Sequence, residues 1–273
     1  MKTKFFLVLF LSITPCLSAV AQQATDTLAP TMPGKGNLVI RPIFKYYNLK
    51  PSEQNLFSGT VLESAVHFDY GLTGATSLML HVSEERQNED QEKQVNGFTD
   101  LKMTFKWRFY QDDFGPVDTF RLGFLAGIKM PTGSSEFTSN STAPFFGLSA
   151  MYIEGRHGVT SSVVFHATDG DFDDTPVLAG EKNANHVAFN AAYLYRIKPE
   201  AYSQDLVAAW YIGAELIGDW ESDDDIEILL APILLYEAPS WAFEMTYGIP
   251  IYEDVNFRPE TDYTLSLGLR FLF

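Results

Sequence analysis

The chain ends on TDYTLSLGLRFLF, Thr261 to Phe273. Tyr263, Leu265, Leu267, Leu269, Phe271 and Phe273 take every second position, and Thr264, Ser266, Gly268 and Arg270 lie between them. Side chains of a β-strand alternate between two faces, so this stretch reads as a strand with one apolar and one polar side. The apolar row runs to a terminal phenylalanine with no polar cap. Such a face fits a strand whose outer solvent is lipid. Pairing this strand with the first one would close the sheet and remove both edges.

Working back along the chain, twelve stretches of about ten residues carry the same alternation. The first has Leu38, Ile40, Phe44 and Tyr46 as its apolar row, and the fourth has Leu101, Met103, Phe105, Trp107 and Phe109. The eighth has Val187, Phe189, Ala191, Tyr193 and Tyr195, and the eleventh Trp241, Phe243, Met245, Tyr247 and Ile249. Connections alternate between short ones (71–74, 111–118, 154–158, 198–205, 237–240) and longer or acidic ones (48–60, 85–97, 131–143, 169–184, 218–225, 252–261). The pattern predicts an all-β fold, a closed antiparallel transmembrane β-barrel of about 12 strands and outer-membrane type. An even strand number places both termini at the periplasmic end. Trp107, Phe109, Tyr193, Tyr195, Tyr236, Trp241, Phe271 and Phe273 near that end fit an interfacial aromatic girdle.

The N-terminus, MKTKFFLVLFLSITPCLSAVAQQ, has Lys2 and Lys4, then the apolar run Phe5 to Ile13, then Ala19-Val20-Ala21. Residues 1–21 therefore read as a secretory signal peptide cut before Gln22, which implies export to a bacterial (Gram-negative) outer membrane. Residues 22–36 read as a flexible N-terminal segment and candidate plug, and 37–273 as the barrel. Cys16, the only cysteine, falls in the signal peptide, so the expected mature chain has no disulfide, thiolate nucleophile or zinc–thiolate site. That chain keeps 17 basic and 35 acidic residues, a net charge of −18. With no basic excess, nucleic acid is not an expected partner. No apolar run in it approaches the ~18 residues a spanning helix needs.

A charge facing lipid at the bilayer midplane costs roughly 2–4 kcal/mol, so the charges set between apolar positions are expected to point inward. Arg41, Lys45, Lys102, Lys106, Arg108, Arg121, Lys129 and Arg270 supply the expected pore-lining bases, and Glu215 and Glu244 pore-lining acids. They serve either as paired charges that stiffen the barrel or as a selectivity lining. Leu229, Ile233 and Leu235 share the inner side of their strand and predict an apolar lumen wall opposite the basic one. A two-sided lumen suits an amphipathic or aromatic solute bearing an acid group. The alternative is that the N-terminal segment folds inside and covers the apolar wall.

Other signals are weaker. HATDG, His166 to Gly170, loosely echoes the His-x-Ser signature of barrel lipases and lipid A deacylases, with Thr168 in place of serine and no clear third member. His67, His81, His157 and His186 show no metal-ligand spacing. DGDFDD (169–174) and ESDDD (221–225) read as solvated carboxylate clusters that can bridge divalent ions to lipopolysaccharide. Neither a metal nor a cofactor is expected.

GFTDLKMTFKWRFY (97–110), RLGFLAGIKMPTGSS (121–135), YIGAELIGDW (211–220) and the C-terminal stretch together resemble the outer-membrane transporters labelled "MetA-pathway of phenol degradation". Asp100, Leu101, Lys106, Trp107 and Arg108 occupy that family's D-L-x-x-x-x-K-[WY]-R strand, and Gly127, Lys129, Pro131, Thr132 and Gly133 its G-x-K-x-P-T-G strand end. The resemblance covers roughly residues 97–273. It implies a non-enzymatic, porin-like channel or transporter passing small, aromatic or hydrophobic solutes. An outer-membrane lipid-modifying enzyme built on His166 and Thr168, or a structural or adhesive barrel acting through its acidic extracellular loops, are the competing readings. Expected partners are outer-membrane lipids, lipopolysaccharide, the barrel-assembly machinery through Phe273, and a small-molecule solute.

Overall fold

The computed structural model of the chain describes residues 23–89, 94–168, 184–201 and 208–273. The described residues hold strands and turns and no helix. The strands are β1 (Leu38–Lys50), β2 (Gly59–Gly71), β3 (Thr76–Glu89), β4 (Val95–Phe98), β5 (Leu101–Asp113), β6 (Thr119–Met130) and β7 (Ala143–Glu154). They continue as β8 (His157–His166), β9 (His186–Lys198), β10 (Ala209–Glu221), β11 (Ile226–Glu237), β12 (Trp241–Asp254) and β13 (Glu260–Leu272). β4 and β5 lie end to end against β3, so the 13 strands close as a 12-position antiparallel barrel.

Closure falls where the C-terminal stretch meets the first strand. Val39 stands opposite Leu272, Phe44 opposite Leu267 and Tyr46 opposite Leu265. The Phe273 N–H donates to the Leu38 carbonyl at 2.9 Å, and the Leu38 N–H to the Phe273 carbonyl at 3.0 Å. The terminal phenylalanine is thus the last rung of the seam, and its ring lies on the outside.

Alternation decides which side chains face out. Phe105, Phe146, Leu148, Ile212, Met245, Tyr247 and Leu267 are exposed, while Thr104, Ser149, Glu215, Glu244, Thr246 and Ser266 on the same strands are buried. The core of this molecule is therefore polar and its surface apolar, the inverse of a water-soluble domain. Trp210, Tyr236 and Trp241 meet in series, edge-to-face and tilted, at centroid distances of 4.8 and 4.9 Å, and Phe273 is exposed at the same end.

Several connections are shorter than the sequence suggests, among them 252–261, which shrinks to 255–259. Residues 85–97 are expected as a loop, yet β3 continues to Glu89 and pairs with β4 through Glu84–Phe98, Glu85–Gly97 and Arg86–Asn96. The hairpin has no apolar row to announce it, because its polar residues sit at the outer rim. β1 and β2 likewise extend inward from the expected 48–60 loop, leaving 51–58 between them. The expected loop 218–225 shrinks to the turn 222–225, with Asp224 in the left-handed region at φ 74°.

Leu267 sits midway along β13 between Met245 and Phe44, facing out. Leu267→Arg is expected to destabilise the folded barrel by about 2–4 kcal/mol, read as the guanidinium unfolding midpoint in lipid vesicles. Ser266→Ala, on the other face of the same strand, is expected to cost less than half of that.

Candidate functional site: the barrel lumen

The N-terminal residues run through the lumen. Ala24, Thr25, Thr27, Ala29, Pro30, Thr31 and Met32 are all buried. The Thr27 N–H and hydroxyl both donate to Glu215 of β10 at 2.5 Å, and the Asp26 N–H donates to the same carboxylate at 3.1 Å. Asp26 pairs with Lys45 of β1, and its carbonyl accepts from Asn190 of β9 at 3.1 Å. The Leu28 N–H donates to Ser162 of β8 at 3.3 Å. Further along, the Thr31 carbonyl accepts from Lys106 of β5 at 2.9 Å, and Met32 sulfur from Ser77 of β3 at 3.3 Å. The segment thus touches most of the wall in turn.

Two glycines show how close the approach is. A Cβ on Gly71 of β2 would stand 1.7 Å from the Gly34 carbonyl oxygen, and one on Gly123 of β6 would stand 2.8 Å from Pro30 Cβ. Both positions require a residue without a side chain because backbone or a proline ring occupies the space.

The charged inner positions sort into two groups. One set is engaged with carboxylates, with turn carbonyls or with the N-terminal segment. Arg41 donates from Nε to Glu244 at 2.6 Å and from Nη2 to the Thr25 and Ala24 carbonyls at 2.8 and 3.2 Å. Arg270 donates from Nη2 to the other Glu244 oxygen at 3.1 Å and to the Gln23 carbonyl at 3.2 Å. Lys106 pairs with Asp69 at 3.1 Å as well as holding Thr31. Toward the short-turn end, Arg108 donates to the Gly74 carbonyl at 2.6 Å, and Arg121 to the Thr119 hydroxyl at 3.1 Å with Asp113 at 3.9 Å. The other set is Lys102 and Lys129, which have no carboxylate at ion-pair distance among the described residues.

The inner residues Leu229, Ile233 and Leu235 of β11 are all buried. Ile233 and Leu235 belong to one apolar cluster with Ala192, Leu194, Ala209, Tyr211 and Ala242, and Ala24 of the N-terminal segment packs into it. That part of the wall is covered rather than open to a solute. Alternation gave the wall its apolar side; the covering by Ala24 needs contacts some 170 to 210 residues apart, which no local pattern carries.

His157 sits at the short β7–β8 turn, 2.8 Å from the Tyr193 hydroxyl, and the other four histidines pair off on the inner face. His67 and His81 face each other across β2–β3 with ring nitrogens 2.6 Å apart, and His81 also reaches the Ser83 hydroxyl at 3.1 Å. His166 stacks between Phe145 and His186, each at a centroid distance of 4.9 Å, and His186 is held by Asp219. His166 makes no hydrogen bond to Thr168, whose N–H donates to Asn185 at 3.3 Å. No group of three or more potential metal ligands comes together among the described residues.

The acidic clusters divide. DGDFDD lies outside the described residues. In ESDDD, expected to be solvated, Glu221 and Asp225 are buried instead. Asp225 accepts the N–H groups of Asn256, Phe257 and Arg258 at 2.7, 3.0 and 3.4 Å, pinning the β12–β13 connection. Arg258 then reaches Glu221 at 3.2 Å and Glu227 at 3.4 Å. Three backbone donors converging on one carboxylate outweigh its solvation by water.

Asp100, between β4 and β5, does the same for the β6–β7 connection. It accepts the Gly133 N–H at 3.0 Å, the Ser139 N–H at 2.8 Å and the Ser139 hydroxyl at 2.6 Å. Burial pushes its carboxyl up, but these bonds and one from Thr138 outweigh burial and hold it below the usual carboxylate range.

No protein-family model and no curated protein matches the chain. Among solved structures it is similar to the COG4313 outer membrane channel from Pseudomonas putida F1, at 14% identity and TM-score 0.63, over 93% of this chain and 100% of that one. The NanC porin (12% identity, TM-score 0.47, 86% and 98% coverage) and the β domain of the Bordetella autotransporter BrkA (12%, 0.49, 88% and 100%) are similar at lower scores that add nothing to the assignment. At 14% identity the first likeness speaks to the fold. The fold is that of an outer-membrane β-barrel.

Glu244 is the shared acceptor of two buried guanidinium groups. Glu244→Leu is expected to lower unfolding stability by about 3–5 kcal/mol, because Arg41 then loses the carboxylate it is bonded to and Arg270 is left with Glu237 at 3.9 Å. The Asp100 contact carries a pH dependence. Its carboxyl is lowered in the fold, so its contribution is fully present above the unfolded value near ~4 and lost as pH falls through the folded one. Protease cleavage within residues 131–142 is expected to accelerate below about pH 4, and Asp100→Asn to show fast cleavage already at pH 7.

Proposed function

We propose that the protein is a passive channel of the bacterial outer membrane, closed at rest by residues 23–36 acting as a plug, and that it admits small solutes. The observation that carries this reading is the N-terminal segment held in the lumen by side chains of many strands, chiefly Glu215, Lys45, Arg41 and Lys106. A barrel meant only as an anchor needs no polar lumen fitted around a separate strand of chain. Side chains alone can fill an eight-stranded interior, whereas twelve positions leave room for this segment.

Cleavage of residues 1–21 before Gln22 would free the segment to enter from the periplasmic side. Phe273, at the seam, is the residue offered to the barrel-assembly machinery. The resemblance of residues 97–273 to the phenol-degradation transporter family supports aromatic or hydrophobic solutes as cargo. Because the wall contacts of the plug are hydrogen bonds, ion pairs and small apolar contacts of Ala24, Leu28 and Ala29 to separate strands, it can leave stepwise without unfolding the barrel.

The test is single-channel conductance of two refolded chains in planar bilayers, residues 22–273 and residues 37–273. The longer chain is expected to be closed or briefly open, and the shorter to show steady openings of several-fold larger conductance. Equal conductance would remove the plug; silence from a folded, heat-modifiable 37–273 barrel would remove the channel.

A further inference from the structure

Lys102 of β5 and Lys129 of β6 stand directly opposite each other on the inner face, two inward positions further out than Lys106. Like charges at opposed positions of an antiparallel pair repel. Arg41, Lys45, Lys106, Arg258 and Arg270 each have a carboxylate at ion-pair distance. Lys102 and Lys129 have none among the described residues, and both remain partly exposed to the lumen.

The carboxylates in their neighbourhood are otherwise engaged or too far. Asp219 and Glu85 lie within electrostatic reach of Lys102 without forming an ion pair, and Asp219 is held by His186. Asp100 lies within reach of Lys129, and its oxygens are taken by Gly133 and Ser139. His166, within electrostatic reach of both lysines, stacks between Phe145 and His186, and its ring nitrogens have no hydrogen-bond partner among the described residues.

We infer that Lys102 and Lys129 form an anion-binding site in the outer half of the lumen, which takes the carboxylate of a small organic acid while the body of that acid lies against the edge of the His166 ring. The inference rests on the solute-channel reading and names the chemistry of the solute. A bidentate carboxylate between two ammonium groups supplies the counter-charge the wall withholds, through charge-assisted hydrogen bonds. With both faces covered by Phe145 and His186, the imidazole offers its edge, where a ring nitrogen can meet a second polar group. Binding here, outward of the plug, places the solute in the lumen before residues 23–36 move.

The experiment is calorimetric titration of the refolded 22–273 chain with sodium benzoate, sodium acetate and sodium chloride. Saturable binding of one benzoate, weaker binding of acetate and no saturable binding of chloride are expected. Lys102→Met and Lys129→Met should each weaken benzoate at least about tenfold. Lys50→Met, at an exposed pair with Asp262, should leave it unchanged. A merely structural role for the lysines is separated by stability. Without benzoate the unfolding midpoint of Lys102→Met should equal or exceed that of the wild type, since a repulsion is removed, and benzoate should raise the midpoint of the wild type only.

Equal benzoate binding by wild type and both variants overturns the site, as does binding that chloride matches. Lysine-dependent binding in a barrel that never conducts keeps the site and removes the channel. Conduction without lysine-dependent binding does the reverse.

Discussion

Every backbone N–H and C=O within a hydrocarbon layer must find its partner inside the protein, and the rest of this structure depends on that requirement. A sheet satisfies it only when it has no edge. The seam between β1 and β13 removes the last edge here, down to the paired backbone groups of Leu38 and Phe273. Once the ring is closed, the two faces of every strand meet different solvents. The outer face can be uniformly apolar, and the inner face must satisfy whatever polar groups the chain places there.

The lumen meets that second demand by pairing charges rather than by leaving them in water. Glu244 serves Arg41 and Arg270 at once, and Glu215 receives three donors from Asp26 and Thr27. Ion pairs buried in this way add little net stability compared with an apolar core, yet they are costly to break singly. They therefore fix one arrangement of the N-terminal segment against the wall. Lys102 and Lys129 depart from this pairing among the described residues, although Arg258 keeps Glu221 and Glu227 at the same end of the lumen.

The rim follows the same logic with backbone donors. Asp100 and Asp225 each gather N–H groups from a neighbouring connection, so loops that look merely acidic are tied down by carboxylates acting as acceptors. The aromatic series Trp210, Tyr236 and Trp241 marks the opposite end, where amphipathic rings suit the boundary between lipid and water.

The sequence by itself determined the strands, their faces and the barrel, because alternation has a fixed period of two and lipid punishes any charge on the wrong side. TDYTLSLGLRFLF and its repeats state this residue by residue, and Arg41, Lys106, Glu215 and Glu244 are recognisable as inward-facing from their neighbours alone. Only the tertiary structure decided who meets whom across the lumen. Arg41 and Glu244 are 203 residues apart, Thr27 and Glu215 are 188 apart, and no local pattern encodes such separations. The β3–β4 hairpin escaped the sequence for a related reason: beyond the membrane it needs no apolar row, so only backbone pairing reveals it. The burial of Asp225 escaped because a carboxylate in an acidic run looks solvated until the three N–H groups that face it are known. Local periodicity registers the solvent each face meets; closure of the ring alone sets the contacts inside it.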